Sequence, residues 1–106
     1  MKDGIYKIAA ATPHIRLGDV VSNEREIIGL IEKAADKKAS VLVLPELCVT
    51  GYTAGDLFLL DSLISGAENA LRGIAAATVG KNLVAVVGAP VMHGGKLYSA
   101  AVVMCD

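Results

Sequence analysis

Aromatic residues are scarce in this chain of 106 residues, which has no tryptophan and one phenylalanine. Aromatics make up 4% of the sequence, although hydrophobic residues make up 54%. The apolar content is therefore mostly Ala, Val, Ile and Leu, a composition that suits parallel strands covered by helices. It also indicates more apolar surface than so short a chain can bury alone, so we expect a partner or further chain.

The sequence also has few cysteines, no excess of one charge and no long apolar run. The two cysteines, Cys48 and Cys105, lack metal or redox spacing, which favours reduced thiols over a disulfide scaffold. The net charge of −1 favours neither nucleic acid nor a membrane surface as a partner. No run approaches the roughly 18 apolar residues of a membrane helix, and the N-terminal run is too short for a signal peptide. We therefore expect a cytoplasmic protein.

The hydrophobic pattern predicts an α/β fold with the element order β-α-β-α-β-β. Strand–helix–strand units with short connections predict parallel strands, and Gly94-Gly95 predicts a hairpin between the last two strands. Asp19 is a candidate N-cap for the first helix. The predicted elements are a strand at residues 5–12, a helix at 20–38, a strand at 41–44, a helix from 61 or 62 to about 78, and strands at 83–91 and 97–104.

The stretch at residues 41–52 organises the chain. Its first four residues are all apolar, which predicts a central strand buried on both faces. Pro45 ends regular pairing, so Glu46 follows the carboxyl end of that strand, where open α/β folds bind ligands. With apolar neighbours on both sides, Glu46 is expected to be partly desolvated, which would make it a stronger base. The alternative is a carboxylate that caps N–H groups of the turn.

Three other side chains near strand ends have open readings. His14 is either a pocket residue or a polar loop residue, and the lack of a spaced acid or metal-ligand partner favours the loop. Tyr52 either places its hydroxyl beside Glu46, as a substrate-binding residue, or packs the loop onto the core. Cys48 lies two residues from Glu46 but is interpreted as a small packed hydrophobe. No metal site is predicted.

The motif Pro45-Glu46-Leu47, followed by Thr50-Gly51-Tyr52, resembles the glutamate loop of the nitrilase superfamily, the carbon–nitrogen hydrolases. Its continuation Gly55-Asp56-Leu57-Phe58 makes it similar to the N-terminal glutaminase domain of glutamine-dependent NAD synthetases, from Tyr6 to the chain end. The resemblance implies that residues 1–106 are part of a carbon–nitrogen hydrolase (glutaminase) domain. The implied fold is the first part of an α-β-β-α sandwich.

The resemblance also implies a reaction. In this family a cysteine attacks the side-chain amide of glutamine, a glutamate acts as general base and a lysine stabilises the intermediate. Glu46 matches the glutamate, whereas the cysteine and the lysine are expected beyond Asp106, so this chain alone is expected to be inactive. The full enzyme would use glutamine and deamido-NAD, with ATP and magnesium in a synthetase domain that the chain lacks. We also expect a homo-oligomer.

The chain departs from the family pattern in its last strand. Tyr98-Ser99-Ala100-Ala101 stands where the family usually shows Tyr-Asn-Thr/Ser-Ala, so Ser99 replaces an amide side chain. Lys96 lies in the predicted turn and does not match the catalytic lysine. Two alternatives stay open: another nitrilase-superfamily amidase or carbamoylase, and a non-catalytic α/β assembly module. A flavodoxin-like domain is disfavoured because no glycine-rich phosphate loop follows the first strand.

Overall fold

The structure is a computed structural model, and it describes residues 4, 6–51 and 60–105. Within these residues the predicted order β-α-β-α-β-β is confirmed. The elements are β1 (Ile8–Ala10), α1 (Val20–Asp36), β2 (Val41–Val43), α2 (Asp61–Thr78), β3 (Val84–His93) and β4 (Lys96–Met104).

The strands form one sheet in the order β1-β2-β3-β4. β1 pairs with β2, and β2 with β3, in parallel, while β3 and β4 are antiparallel. Each helix connects two neighbouring parallel strands. Because such crossovers are right-handed and both advance in the same direction, they place both helices on one face of the sheet. β2 is internal, which confirms that Glu46 follows a central strand.

Helix α1 begins where the sequence predicts. The carboxylate of Asp19 accepts a hydrogen bond from Ser22 N at 3.1 Å, which satisfies one of the free N–H groups of the first turn. Both helices turn an apolar stripe toward the sheet. The buried apolar residues are Val20, Ile27, Ile31 and Ala34 of α1, and Leu63, Ala67, Ala70 and Ile74 of α2.

The two helices approach closely at Gly73. A Cβ atom there would lie 2.5 Å from Glu24 Oε2, so a larger residue would displace the Glu24 carboxylate from its place against α2. The absence of a side chain at Gly73 therefore leaves the room that the Glu24 carboxylate occupies. At Gly66 the nearest atoms belong to Val20, at 3.9 Å, which is an ordinary contact distance.

Only one face of the sheet is covered by the described helices. Ala85, Val87 and Ala89 of β3 face the helices and have no exposed surface. On the other face, Ile8 is 68% exposed, Val43 41% and Val103 65%. The prediction that β2 is buried on both faces is thus wrong, because Val43 of β2 is exposed on this face. The residues of β2 are apolar on both faces, but in the described part of the chain only one of these faces has a covering layer.

The hairpin between β3 and β4 closes with a two-residue turn, as predicted. Gly94 and Gly95 have φ values of 58° and 77°, and His93 pairs with Lys96 across the turn. Two consecutive positive φ angles match the twist of the strands, which explains the glycines. β3 runs past Pro90 because its ladder with β2 ends at Val86, so that Pro90 lies opposite β4 only.

Candidate active site

The turn that follows β2 is hydrogen-bonded to β3 on both sides. Leu44 N donates to Val86 O at 3.0 Å, and Val49 N donates to Gly88 O at 3.1 Å. Between these two bonds the chain reverses at Leu47, which has a positive φ of 53°. Leu47 O then accepts from Gly51 N at 2.7 Å and Thr50 N at 3.2 Å. Residues 45–48, which include Glu46, are therefore anchored on both sides.

Gly88 makes room for this turn on the surface of β3. A Cβ atom at Gly88 would lie 2.5 Å from Leu47 N and closer still to Pro45 O. Both neighbours are backbone atoms and cannot rotate away. Because side chains alternate along β3, and Ala89 faces the helices, position 88 faces the opposite side. The turn that carries Glu46 thus packs over the face of the sheet that lacks helices.

Asn23 of α1 holds the other end of the turn. This fully buried side chain donates through Nδ2 to Val49 O at 2.9 Å and to Arg16 O at 2.8 Å, and its Oδ1 accepts from Arg16 N at 2.8 Å. Gly18 N also donates to Thr50 O at 2.8 Å. The loop after β1 and the turn after β2 are therefore joined both through the Asn23 side chain and through this backbone bond.

The Glu46 side chain is exposed, and Ser99 is its hydrogen-bond partner. Ser99 Oγ donates to Glu46 Oε2 at 2.8 Å. A cavity of about 140 Å³ lies beside this pair and is lined by Leu47, Pro90, Leu97, Tyr98 and Ser99. The expectation that Glu46 is partly desolvated is wrong for this chain. Leu44 belongs to the hydrophobic core and Leu47 is buried beside the cavity, whereas the Glu46 side chain is exposed.

Cys48 is not available as a nucleophile. It is 2% exposed and belongs to the hydrophobic core, where its Sγ donates to Gly88 O at 3.6 Å. Burial raises the pKa of the Cys48 thiol, because the thiolate would lose its hydration. The interpretation of Cys48 as a packed small hydrophobe is confirmed, and its proximity to Glu46 in sequence does not reflect a catalytic pair.

The structure describes two of the other candidate residues, His14 and Lys96. Tyr52 and the Gly55-Asp56-Leu57-Phe58 motif lie outside the described residues. His14 is exposed after β1, and Lys96 is exposed beside the hairpin turn. Among the residues described, no group of three or more His, Cys, Asp or Glu side chains could hold a metal ion. Neither of the helices described has the length and apolar character that crossing a membrane requires.

Ser99 is the residue that sequence reasoning missed as a partner for Glu46. The sequence marked Ser99 only as a departure from a family pattern. The signal that joins the two is the β3–β4 register, which pairs Ser99 with Pro90 and so places it next to the turn over Gly88. That register depends on the position of the two-residue turn and can be counted back from Gly94-Gly95 once the turn type is known.

Comparison with known proteins places these features in a family. Residues 7–106 match the family model described as carbon-nitrogen hydrolase. The glutamine-dependent NAD(+) synthetase of Xylella fastidiosa (strain Temecula1) is 42% identical over 101 residues, which cover 94% of this chain and 18% of that protein. The glutamine-dependent NAD+ synthetase of Acinetobacter baumannii, solved with adenosine diphosphate, superposes with a TM-score of 0.83 at 31% identity, covering 95% of this chain and 19% of that one.

A more distant structure shows how far the fold extends. An amidase from Nesterenkonia sp. superposes with a TM-score of 0.71 at 21% identity, covering 86% of this chain and 33% of the amidase. This chain spans 15% to 18% of the length of curated relatives that it matches. The strand order, the anchored glutamate turn and the match over nearly the whole chain lead to one conclusion: the chain belongs to the carbon–nitrogen hydrolase family.

Proposed function

We propose that this chain is the first part of the glutaminase domain of a glutamine-dependent NAD synthetase, with Glu46 as the general base. The observation that carries the proposal is the Glu46 turn. It follows the central strand, is fixed by Gly88 and Asn23, and presents its carboxylate on the uncovered face of the sheet. The names of the relatives with 32% to 42% identity support the choice of synthetase.

The exposure of Glu46 fits a site completed by further chain. The proposed nucleophilic cysteine and the oxyanion-stabilising lysine come from outside residues 1–106, and they must reach Glu46 from the open side. Packing of that chain would remove water from the carboxylate and make it a better proton acceptor. The uncovered apolar residues around the turn provide the surface for such packing.

In the proposed reaction Glu46 moves protons at one oxygen. It takes the proton of the cysteine thiol as sulfur attacks the side-chain carbonyl carbon of glutamine. It then gives that proton to the departing nitrogen, so that the C–N bond breaks, ammonia leaves and a glutamyl thioester remains. In the second half Glu46 accepts a proton from water, whose oxygen attacks the thioester. The proton returns to sulfur, and glutamate is released.

ATP and magnesium belong, in this proposal, to a separate synthetase domain. Bound there, ATP would drive the amidation of deamido-NAD by the ammonia released at the Glu46 site. The residues described here do not fit a magnesium site, because no cluster of metal-ligating side chains is found among them. No step assigned to this chain passes through either group.

The test uses the whole enzyme that contains this chain. Glu46→Gln should lower glutamine hydrolysis by about 10²- to 10⁴-fold, the usual contribution of a general base, because the amide cannot accept the proton. Synthesis of NAD from free ammonia should be unchanged, since ammonia bypasses the glutaminase step. The matched control is Glu26→Gln on the exposed side of α1. Full glutamine hydrolysis by Glu46→Gln would overturn the role of Glu46.

A second measurement concerns the chain of 106 residues by itself. Incubated with glutamine, it should release no glutamate above the buffer rate, because Cys48 is buried and no other described thiol adjoins Glu46. Turnover by this chain that disappears in Glu46→Ala would contradict the proposed division of the active site.

Two other functions give different results in these assays. An amidase or carbamoylase of the same superfamily, suggested by the fold of the Nesterenkonia protein, would hydrolyse small amides or carbamoyl compounds and form no NAD from ammonia. A non-catalytic assembly module would use the uncovered face to pair with itself and show no hydrolysis at all. Homo-oligomerisation is also part of the synthetase proposal, and light scattering of the whole enzyme would measure it.

A further inference from the structure

We propose that Ser99 is a positioning residue for Glu46, and that it leaves Oε1 as the oxygen that accepts the proton. The hydroxyl of Ser99 binds Oε2, so the two carboxylate oxygens are no longer equivalent. The catalytic meaning of this inference rests on the proposed function, whereas the contact itself does not.

The contact is well placed to orient the carboxylate. Ser99 lies within β4, which pairs with β3 over the whole length from His93–Lys96 to Ala85–Met104. Its side chain is on the same face as the Glu46 turn, because the neighbouring β4 residue Ala100 pairs with Ala89, which faces the helices. A residue held in a long ladder thus fixes the end of a side chain that projects from a turn.

A serine hydroxyl orients the carboxylate without neutralising it. It donates one hydrogen bond, so it can hold one oxygen only. Within the described parts of the chain, Glu46 Oε1 accepts no hydrogen bond and Glu46 forms no salt bridge. The salt bridge of these parts joins Arg72 and Glu68 of α2. A cation at the position of Ser99 would stabilise the ionised carboxylate more strongly and weaken it as a base. The hydroxyl therefore supplies direction without adding an opposite charge beside the carboxylate.

The cavity beside the pair lies where a reacting group can approach. Its walls are formed by Leu47, Pro90, Leu97, Tyr98 and Ser99, the last of which binds Glu46. Ser99 holds Oε2, and Oε1, which has no hydrogen-bond partner among the described residues, is the oxygen left for a thiol that arrives from the open face. The serine takes the place of the asparagine of the family pattern, so this chain keeps a single donor where an amide offers two.

The first test observes Glu46 directly in this chain. Carbon-detected NMR gives the chemical shift of the Glu46 carboxyl carbon and the scalar couplings that report its χ1 angle. Ser99→Ala should shift the carboxyl resonance and bring the couplings toward rotamer averages. Ser99→Thr keeps the hydroxyl on an exposed strand position, and both values should stay close to those of the parent chain. Ser65→Ala, on an exposed helix position, is the matched control and should change neither value.

The second test measures kinetics in the whole enzyme. Ser99→Ala should lower kcat for glutamine hydrolysis roughly 10- to 100-fold, the range that a hydrogen bond to a charged group represents. KM for glutamine and the synthesis from free ammonia should be unchanged, and Ser99→Thr should restore most of kcat. A merely structural role would instead lower both activities together and would not be rescued by threonine.

The two proposals fail in different ways. Identical Glu46 carboxyl shifts and couplings in Ser99→Ala and the parent chain would overturn the positioning role, whatever the enzyme hydrolyses. The expected change of the Glu46 shift and couplings in Ser99→Ala, together with a whole enzyme that hydrolyses no glutamine, would overturn the proposed function. The positioning of Glu46 by Ser99 would still be supported. Unchanged kcat in Ser99→Ala, in an active enzyme, would overturn the catalytic value of the contact.

Discussion

The two faces of the sheet have similar side chains and very different surroundings. On the face toward α1 and α2, Ile27, Ile31 and Ile74 belong to the hydrophobic core, and all three isoleucines are fully buried. The opposite face displays Ile8, Val43 and Val103, each exposed by more than a third, and also carries the turn with Glu46. Apolar residues thus stabilise this chain on one face, while on the other they form a surface around the candidate site.

The residues that stabilise the fold and the residues around the candidate site therefore lie on different faces of the sheet. Burial of apolar surface on the helix face supplies the main free energy of folding. The uncovered face contributes little of it, so residues there are free to serve contacts with other groups. The hydrogen bonds of Gly88 and Asn23 with Val49 connect the two faces, since they attach the turn that carries Glu46 to β3 and to α1.

The largest expected effect is a core truncation on the covered face. Ile27→Ala should lower the free energy of unfolding by about 2–5 kcal/mol, because it removes buried methyl groups and leaves a cavity. Ile8→Ala is the matched change on the open face, and it should stay within about 0.5 kcal/mol, as surface substitutions do. Urea denaturation followed by circular dichroism measures both. Equal losses for the two variants would remove the distinction between the faces.

The next effect concerns the glycine beneath the Glu46 turn. Gly88→Ala should cost about 1–3 kcal/mol or more, as overpacking does, because the added methyl group meets backbone atoms of Pro45 and Leu47. The control is Gly29→Ala in α1, where an added Cβ meets nothing within 4 Å. There alanine should stabilise the helix by up to about 1 kcal/mol. Opposite signs in thermal denaturation are expected, and a harmless Gly88→Ala would contradict the close packing of the turn.

Loss of the Asn23 amide should loosen the turn from its other side. Asn23→Ala removes the partner of Val49 O and of both backbone groups of Arg16. The expected cost is about 1–3 kcal/mol and comes mainly from Val49 O, because that bond is the buried one. Amide hydrogen exchange at Gly18 and Gly51 should become faster than in the parent chain. Asn69→Ala, on an exposed position of α2, serves as the control. Unchanged exchange at both glycines would show that Asn23 does not hold the turn.

The smallest effect is a pH dependence that comes from Cys48. Its pKa is raised by burial, so on raising the pH the unfolded chain loses the thiol proton before the folded chain does. The contribution to stability is complete below the ordinary thiol pKa, about 8.5. Above that value it falls, by at most about 1.4 kcal/mol per pH unit, until the folded thiol also ionises.

The difference between two cysteine variants isolates this effect. Cys48→Ala should reduce the decline in the free energy of unfolding above the ordinary thiol pKa, whereas Cys105→Ala, at an exposed position, should keep it. Urea denaturation at a series of pH values measures both. A decline that is the same in the two variants would assign it to other groups and not to the buried thiol.

Much of the fold was predictable because its signals are local. The start of α1, the bounds of α2, the Asp19 cap and the Gly94-Gly95 turn depend on residues within a few positions of one another, and the structure confirms them. Helix α1 ends at Asp36, two residues before the predicted end. β1 and β2 are shorter than predicted, since strand ends are set by their partners in the sheet. The place of Glu46 after a central strand was also predictable, from the apolar run and Pro45 together.

Local sequence patterns were enough to predict the order of elements, the apolar stripes of the helices and the position of one carboxylate beyond a strand. The covering of β2 on one face, the place of Gly88 under the turn and the bond from Ser99 to Glu46 follow instead from the three-dimensional packing of the chain. The physical reason is range. Propensity, capping and turn chemistry act between neighbours, whereas the contact of Ser99 with Glu46 joins residues 53 positions apart. Such a contact exists only once parallel pairing and the hairpin register have aligned three strands.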